Sequence, residues 1–253
     1  MSAPDPHPTP TDGRPGSSPS LAGQDERRLG GTLSVLVRQK RDHVELDRLL
    51  HELGSAAPNA QDDVLRRLYR LVFSHAFAEE AVLWPVIRRV LPDGEALTLQ
   101  VEREHQEVNE IVTEIEATAA GSAERQPLLD RLVAVLREDV RDEEDELLPR
   151  LQARLDVHRL RALGLAWETV RRTAPTRAHP VVARRPPGNV LAAVPLTVID
   201  RLRDRVDRHI QHGRGPAPRL HDASRLLTRA AHAVEHAPLL RRGEDPSTAA
   251  ERP

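Results

Sequence analysis

Cysteine is absent from this sequence. That removes disulfides, thiolate metal sites and cysteine nucleophiles together, without fixing a compartment. Any metal must be held by histidine and carboxylate, donors that suit iron, manganese or zinc better than soft metals. There is no apolar segment of signal-peptide type at the N-terminus and no apolar run approaching transmembrane length. The expected location is therefore the cytoplasm, with no membrane as partner. No Ser-His-Asp arrangement, glycine-rich phosphate loop or dinucleotide fingerprint appears. Lysine is nearly missing: Lys40 stands alone among 37 basic residues, which reads as coding bias from a GC-rich genome and not as chemistry. A formal net charge of −2 gives no overall pull toward nucleic acid. Aromatic residues are scarce, and Tyr69, Phe73, Phe77 and Trp84 hold nearly all of them.

What the chain does have is a repeat. The stretch His75-Ala-Phe-Ala-Glu79-Glu80-Ala-Val-Leu83-Trp-Pro85 recurs without a gap as Asp139-Val-Arg-Asp-Glu143-Glu144-Asp-Glu-Leu147-Leu-Pro149. Ahead of these, Arg41-Asp-His43-Val-Glu45 matches Arg103-Glu-His105-Gln-Glu107. The order A, B, A′, B′ describes two helical hairpins, each one supersecondary unit.

Residues 1–28 are rich in Pro, Ser and Gly and are expected to be disordered; His7 lies there and is incidental. Apolar spacing at ~100° per residue predicts helices over 33–53, 62–90, 95–116 and 127–151. Short connections favour an all-α, up-down-up-down four-helix bundle with an internal two-fold repeat, occupying 29–172 with a short helix carrying Trp167 at its end. Residues 173–190 form a Pro/Arg-rich strap. Residues 191–240 read as a helical extension with Leu191, Val194, Val198, Leu202 and Val206 on one face, packing on the bundle or on a partner. Residues 241–253 are expected to be a disordered tail. Tyr69, Phe73, Phe77 and Trp84 form an outward stripe that needs a cover, either the chain's own extension or a partner protein or second copy.

His-x-x-x-Glu places two metal-capable side chains one turn apart on one helical face. A single such pair is weak evidence, since a lone core histidine is usually just hydrogen-bonded. The repeat changes this: two helices each present a pair inward and the other two each present one histidine. The bundle core would then hold His43, His75, Glu79, His105, Asp139 and Glu143. Several carboxylates in an apolar interior are strongly unfavourable unless a cation neutralises them. Six N/O donors with two symmetric glutamates suit two metals, with Glu79 and Glu143 as candidate bridges. Asp47 and Asn109, one turn beyond His43 and His105, are candidates for orienting those rings or gating a ligand. A solvated acidic face explains Asp142, Asp145 and Glu146, but not why Glu143 repeats Glu79. His232 and His236 could form only a minor surface pair.

These residues resemble the hemerythrin-like family, the HHE cation-binding domain, over about residues 33–151. The resemblance implies a non-haem di-iron site, oxo- or hydroxo-bridged, with ligand roles at His43, His75, Glu79, His105 and Glu143. Manganese and zinc remain compatible with the donor types. Two positions depart from the family: Asn109 and Asp139 stand where it often has histidine. Fewer histidines and more carboxylate favour higher oxidation states. The expected chemistry thus moves from reversible oxygen carriage to peroxide turnover, iron oxidation or redox sensing, with O2, H2O2 or NO as small-molecule partners. Catalase-, peroxidase- or ferroxidase-like activity is one outcome. A metal-dependent sensor read out by the C-terminal arm is a second, and a degenerate bundle without metal a third. Residues 179–191 look like an extension of actinobacterial members of the family.

Overall fold

The computed structural model describes residues 19–211, 213 and 217–248. Every regular element among them is helical. The first hairpin joins α1 (Val35–Ser55) to α2 (Pro58–Ala78), which continues through a π turn (Glu79–Leu83) into α3 (Trp84–Val90). The second joins α4 (Gly94–Ala117) to α5 (Arg125–Asp142), which continues through a second π turn (Glu143–Leu147) into α6 (Leu148–Arg154). α7 (Val157–Thr173), α8 (Gly188–Gln211), α9 (Ala217–Glu235) and a short 3₁₀ turn (Pro238–Arg241) follow.

Local chemistry sets the helix starts. The Ser34 hydroxyl accepts the Leu36 N–H at the head of α1, and Asp156 accepts the Arg159 N–H at the head of α7. Pro58 opens α2, where its missing N–H costs nothing. Pro85 and Pro149 lie two residues past the two π turns. A proline inside a helix removes one donor and collides with the carbonyl four residues back. Widening the preceding turn by one residue accommodates both effects. Trp84 N–H and Leu148 N–H accordingly reach back five residues, to the carbonyls of Glu79 and Glu143.

Two apolar clusters fill the bundle. One gathers Leu36, Leu83, Trp84, Ile87, Leu148 and Trp167 near the proline ends; the other gathers Leu50, Leu68, Ile111, Ile115, Leu132 and Leu136 at the opposite end. Between them lies a polar layer containing His43, Glu79, His105, Asp139 and Glu143, all buried. α7 packs against both α1 and α2. Its closest approach is at Gly164, where a Cβ would sit 2.0 Å from the Leu33 carbonyl oxygen. Only glycine permits that contact.

Three expectations are corrected. Residues 19–28, assigned to a disordered tail, pack on the bundle: Leu21 is fully buried and its N–H donates to the Glu144 carbonyl. Residues 1–18 and 249–253, parts of the two expected tails, lie outside the described residues, but Glu244 accepts the Arg184 N–H of the strap and Thr248 is buried. The buried face of α8 is not the apolar stripe. Leu191, Val194, Val198 and Leu202 are exposed, while Ala192, Leu196, Asp200 and Asp204 are buried. The acids face inward because they have partners there: Asp200 accepts the Thr176 and Arg177 N–H groups, and Asp204 pairs with Arg70 at 2.6 Å and Arg177 at 3.0 Å. Periodicity registers apolar side chains and is blind to such pairing. No helix among the described residues is long and apolar enough to cross a membrane.

Candidate metal centre

Each of the four bundle helices contributes to one buried layer. α1 brings His43, α4 brings His105, and the i,i+4 pairs His75/Glu79 and Asp139/Glu143 come from the ends of α2 and α5. His43 Nε2 lies 3.2 Å from Glu143 Oε2, and His75 Nε2 lies 3.0 Å from Glu79 Oε1. His105 Nε2 is 3.7 Å from both Glu79 Oε2 and Asp139 Oδ1. The donors form two overlapping groups, His43/His75/Glu79/Glu143 and His105/Asp139/Glu143, each able to offer ligand atoms within 4.8 Å of one another. Glu143 belongs to both.

The layer fits a cation. Six of its atoms are buried without a hydrogen-bond partner: His43 Nε2, both Glu79 oxygens, Asp139 Oδ1 and both Glu143 oxygens. Buried polar atoms are normally satisfied, and a cluster of exceptions aimed at one another calls for an ion between them. Charge tells the same story. Burial opposes the charge on His43, but Glu143 and Glu144 outweigh it and raise its pKa to about 9. Burial likewise opposes His105, and Asp139 and Glu80 raise it to about 10. Burial pushes Asp139 and Glu143 upward, reinforced by repulsion from Glu143 and Glu79 respectively. Besides burial, the raised values share one cause, an excess of negative charge in the layer.

Two of the outer ring nitrogens are held by the second acid of each Glu-Glu pair. Glu144 Oε1 lies 2.8 Å from His43 Nδ1, and Glu80 Oε1 lies 3.0 Å from His105 Nδ1. On a regular helix Glu79 and Glu80 would diverge by ~100°; at the start of a π turn both are buried. Asp42 Oδ2, 3.3 Å from His75 Nδ1, takes the third place. Such partners fix the tautomer and aim of a ligating imidazole.

Asp47, expected to orient His43, does not: it lies at the surface, 3.3 Å from His51 Nδ1. Asn109 is buried but does not hold the His105 ring. Its Nδ2 donates to the His105 carbonyl and its Oδ1 accepts the His179 N–H at 2.9 Å. The aromatic stripe is not outward either. Tyr69, Phe73 and Trp84 are buried; Trp84 stacks on His105 with centroids 6.3 Å apart, and Phe73 and Phe77 line one pocket with strap residues, Ala192 and Leu196. Trp167 meets His75 edge-on at 5.4 Å. A cavity of about 20 Å³, room for one water-sized molecule, lies beside the donors. His43, His75, His105 and Asp139 form its polar wall, and Leu46, Val72, Phe73, Val108 and Leu136 its apolar one.

Comparison with known proteins agrees with this geometry. The hemerythrin HHE cation-binding domain pattern matches residues 35–151. An uncharacterised hemerythrin-like protein of Schizosaccharomyces pombe is 26% identical over 172 residues, covering 66% of this chain and 84% of its own. No solved structure matches. Residues 35–151, whose core holds the buried histidine and carboxylate layer, are thus similar to the hemerythrin HHE cation-binding domain.

Proposed function

We propose that the chain binds two non-haem irons in the bundle core and serves oxygen, peroxide or iron-redox chemistry, not reversible oxygen carriage. The observation that carries this reading is the sharing of Glu143 between two donor groups whose inward atoms lack other partners. One position would be held by His43, His75, Glu79 and Glu143, the other by His105, Asp139 and Glu143. Glu79 spans them, its two oxygens facing His75 and His105. Bound iron supplies a redox couple and a Lewis acid there.

The protein's own contributions follow from the geometry. Three carboxylates against three imidazoles make an anionic donor set, which favours the higher oxidation state. Asp42, Glu80 and Glu144 hold the imidazoles with Nε2 toward the centre. The cavity has room for one water-sized molecule beside the donors, against apolar side chains of Leu46, Val72, Phe73, Val108 and Leu136.

The test is metal content per chain with an absorption spectrum, for protein expressed with iron, alongside Glu143→Ala and a peroxide-consumption assay. The expected result is two irons per chain, lost together with the ferric bands in the variant. Wild-type protein without iron, or iron indifferent to Glu143, overturns the reading.

A further inference from the structure

The family pattern ends at residue 151, yet two arginines beyond it reach the donor layer. Arg184, in the strap, is buried; its Nη2 donates to Gln106 Oε1 at 2.8 Å and its Nη1 lies 3.8 Å from Glu80 Oε1. That same Glu80 oxygen is 3.0 Å from His105 Nδ1. Arg171, on α7, places Nη1 3.6 Å from Asp42 Oδ2, and that oxygen is 3.3 Å from His75 Nδ1. The Arg171 guanidinium also sits 5.4 Å from the centre of the Trp167 ring, whose edge meets His75.

We propose that Arg171 and Arg184 are positioning residues of the metal centre, so that α7 and the strap complete a site the four-helix bundle leaves unfinished. The proposal rests on the metal reading above. A carboxylate aims an imidazole more firmly when it is itself held in place, and a buried one with no cation behind it keeps more freedom to turn. One cation behind Asp42 and one behind Glu80 remove that freedom. The internal two-fold repeat does not explain the arrangement. Glu144 is the repeat partner of Glu80, yet among the described residues its only ion pair is with His43. The cations come from outside the repeat, and each serves a different donor group: Arg171 acts through His75 on the first, Arg184 through His105 on the second.

Cobalt(II) titration of the metal-free, full-length chain, followed by visible absorption, tests this. Wild type is expected to bind two equivalents with distinguishable bands. Arg184→Gln should weaken one equivalent by about tenfold or more, the range for loss of a group that supports a metal ligand, and leave the other in place. Arg171→Gln should do the reverse. The sign is diagnostic: if the arginines acted only as nearby positive charge, removing them would tighten cation binding. Arg185→Gln is the control, because Arg185 anchors the same strap to Glu102 and Glu95, away from the donors; it should titrate like wild type. If Arg184→Gln fails to fold by circular dichroism, Arg184→Lys decides, with reduced affinity at the same equivalent expected. Glutamine and lysine variants that titrate like wild type, or more tightly, overturn the proposal while the metal reading stands. Wild type that binds no cobalt removes both.

Discussion

Glu143 and Asp47 mark the two extremes of what a single side chain contributes. Glu143 is shared by both donor groups, so Glu143→Ala should abolish both equivalents of metal as read by elemental analysis. Asp47→Ala should leave metal content unchanged and alter stability by no more than ~0.5 kcal/mol in a urea melt, as expected at an exposed position. Glu144→Gln keeps an oxygen near His43 Nδ1 but removes its charge; metal affinity should fall about 10–100-fold by competition titration. An unchanged affinity would show that the contact seen at 2.8 Å has no influence on the ring. The ligand candidates were legible because they repeat. Their supporting acids were not, because a regular helical count sends neighbouring glutamates to different faces, and the π turn that brings Glu80 inward is visible only in three dimensions.

Among the elements, α8 departs furthest from its sequence pattern, whereas α7 is the expected helix carrying Trp167. α7 is a fifth wall of the core, seated through Gly164 against the start of α1. Gly164→Ala places a Cβ into the Leu33 carbonyl; a loss of about 1–3 kcal/mol is expected in chemical denaturation, with a shifted Trp167 emission. Full stability in that variant would mean the α1–α7 contact yields freely. The strap is held by His179, whose Nδ1 lies 2.8 Å from Glu235 and whose Nε2 lies 3.1 Å from Asp200. Burial opposes its charge, but the two acids raise its pKa to about 9, above the ordinary value of about 6.5. Its contribution to docking is therefore complete below about pH 6.5 and is lost as pH rises through about 9. Hydrogen exchange of α8 and α9 should quicken across that window beyond its intrinsic pH dependence, and His179→Asn should flatten the effect. Protection that is independent of pH would assign the docking to Arg177 and Arg185 instead.

At the scale of the whole molecule, the proposed metal would be coupled to folding through the polar layer. An empty core opposes its own carboxylates, and a ligand that binds only the folded state stabilises it by about 2.7 kcal/mol at a hundredfold excess over Kd. Chelation should lower the melting temperature by several degrees in wild type and by nothing in Glu143→Ala. Equal melting temperatures with and without metal would favour a bundle that has lost its ion. The sequence by itself determined the two hairpins, the all-α class, and the set His43, His75, Glu79, His105, Asp139 and Glu143, because helical period and internal repetition are properties of residue order. Only the tertiary structure decided what surrounds that set: which acids hold the rings, that Asp47 faces solvent, that the aromatic stripe is covered, and that α8 turns its acids inward. Those outcomes depend on partners far apart in the chain, such as Arg184 with Glu80 and Asp204 with Arg70. Burial of a charge is settled by what meets it there and not by its place in a pattern.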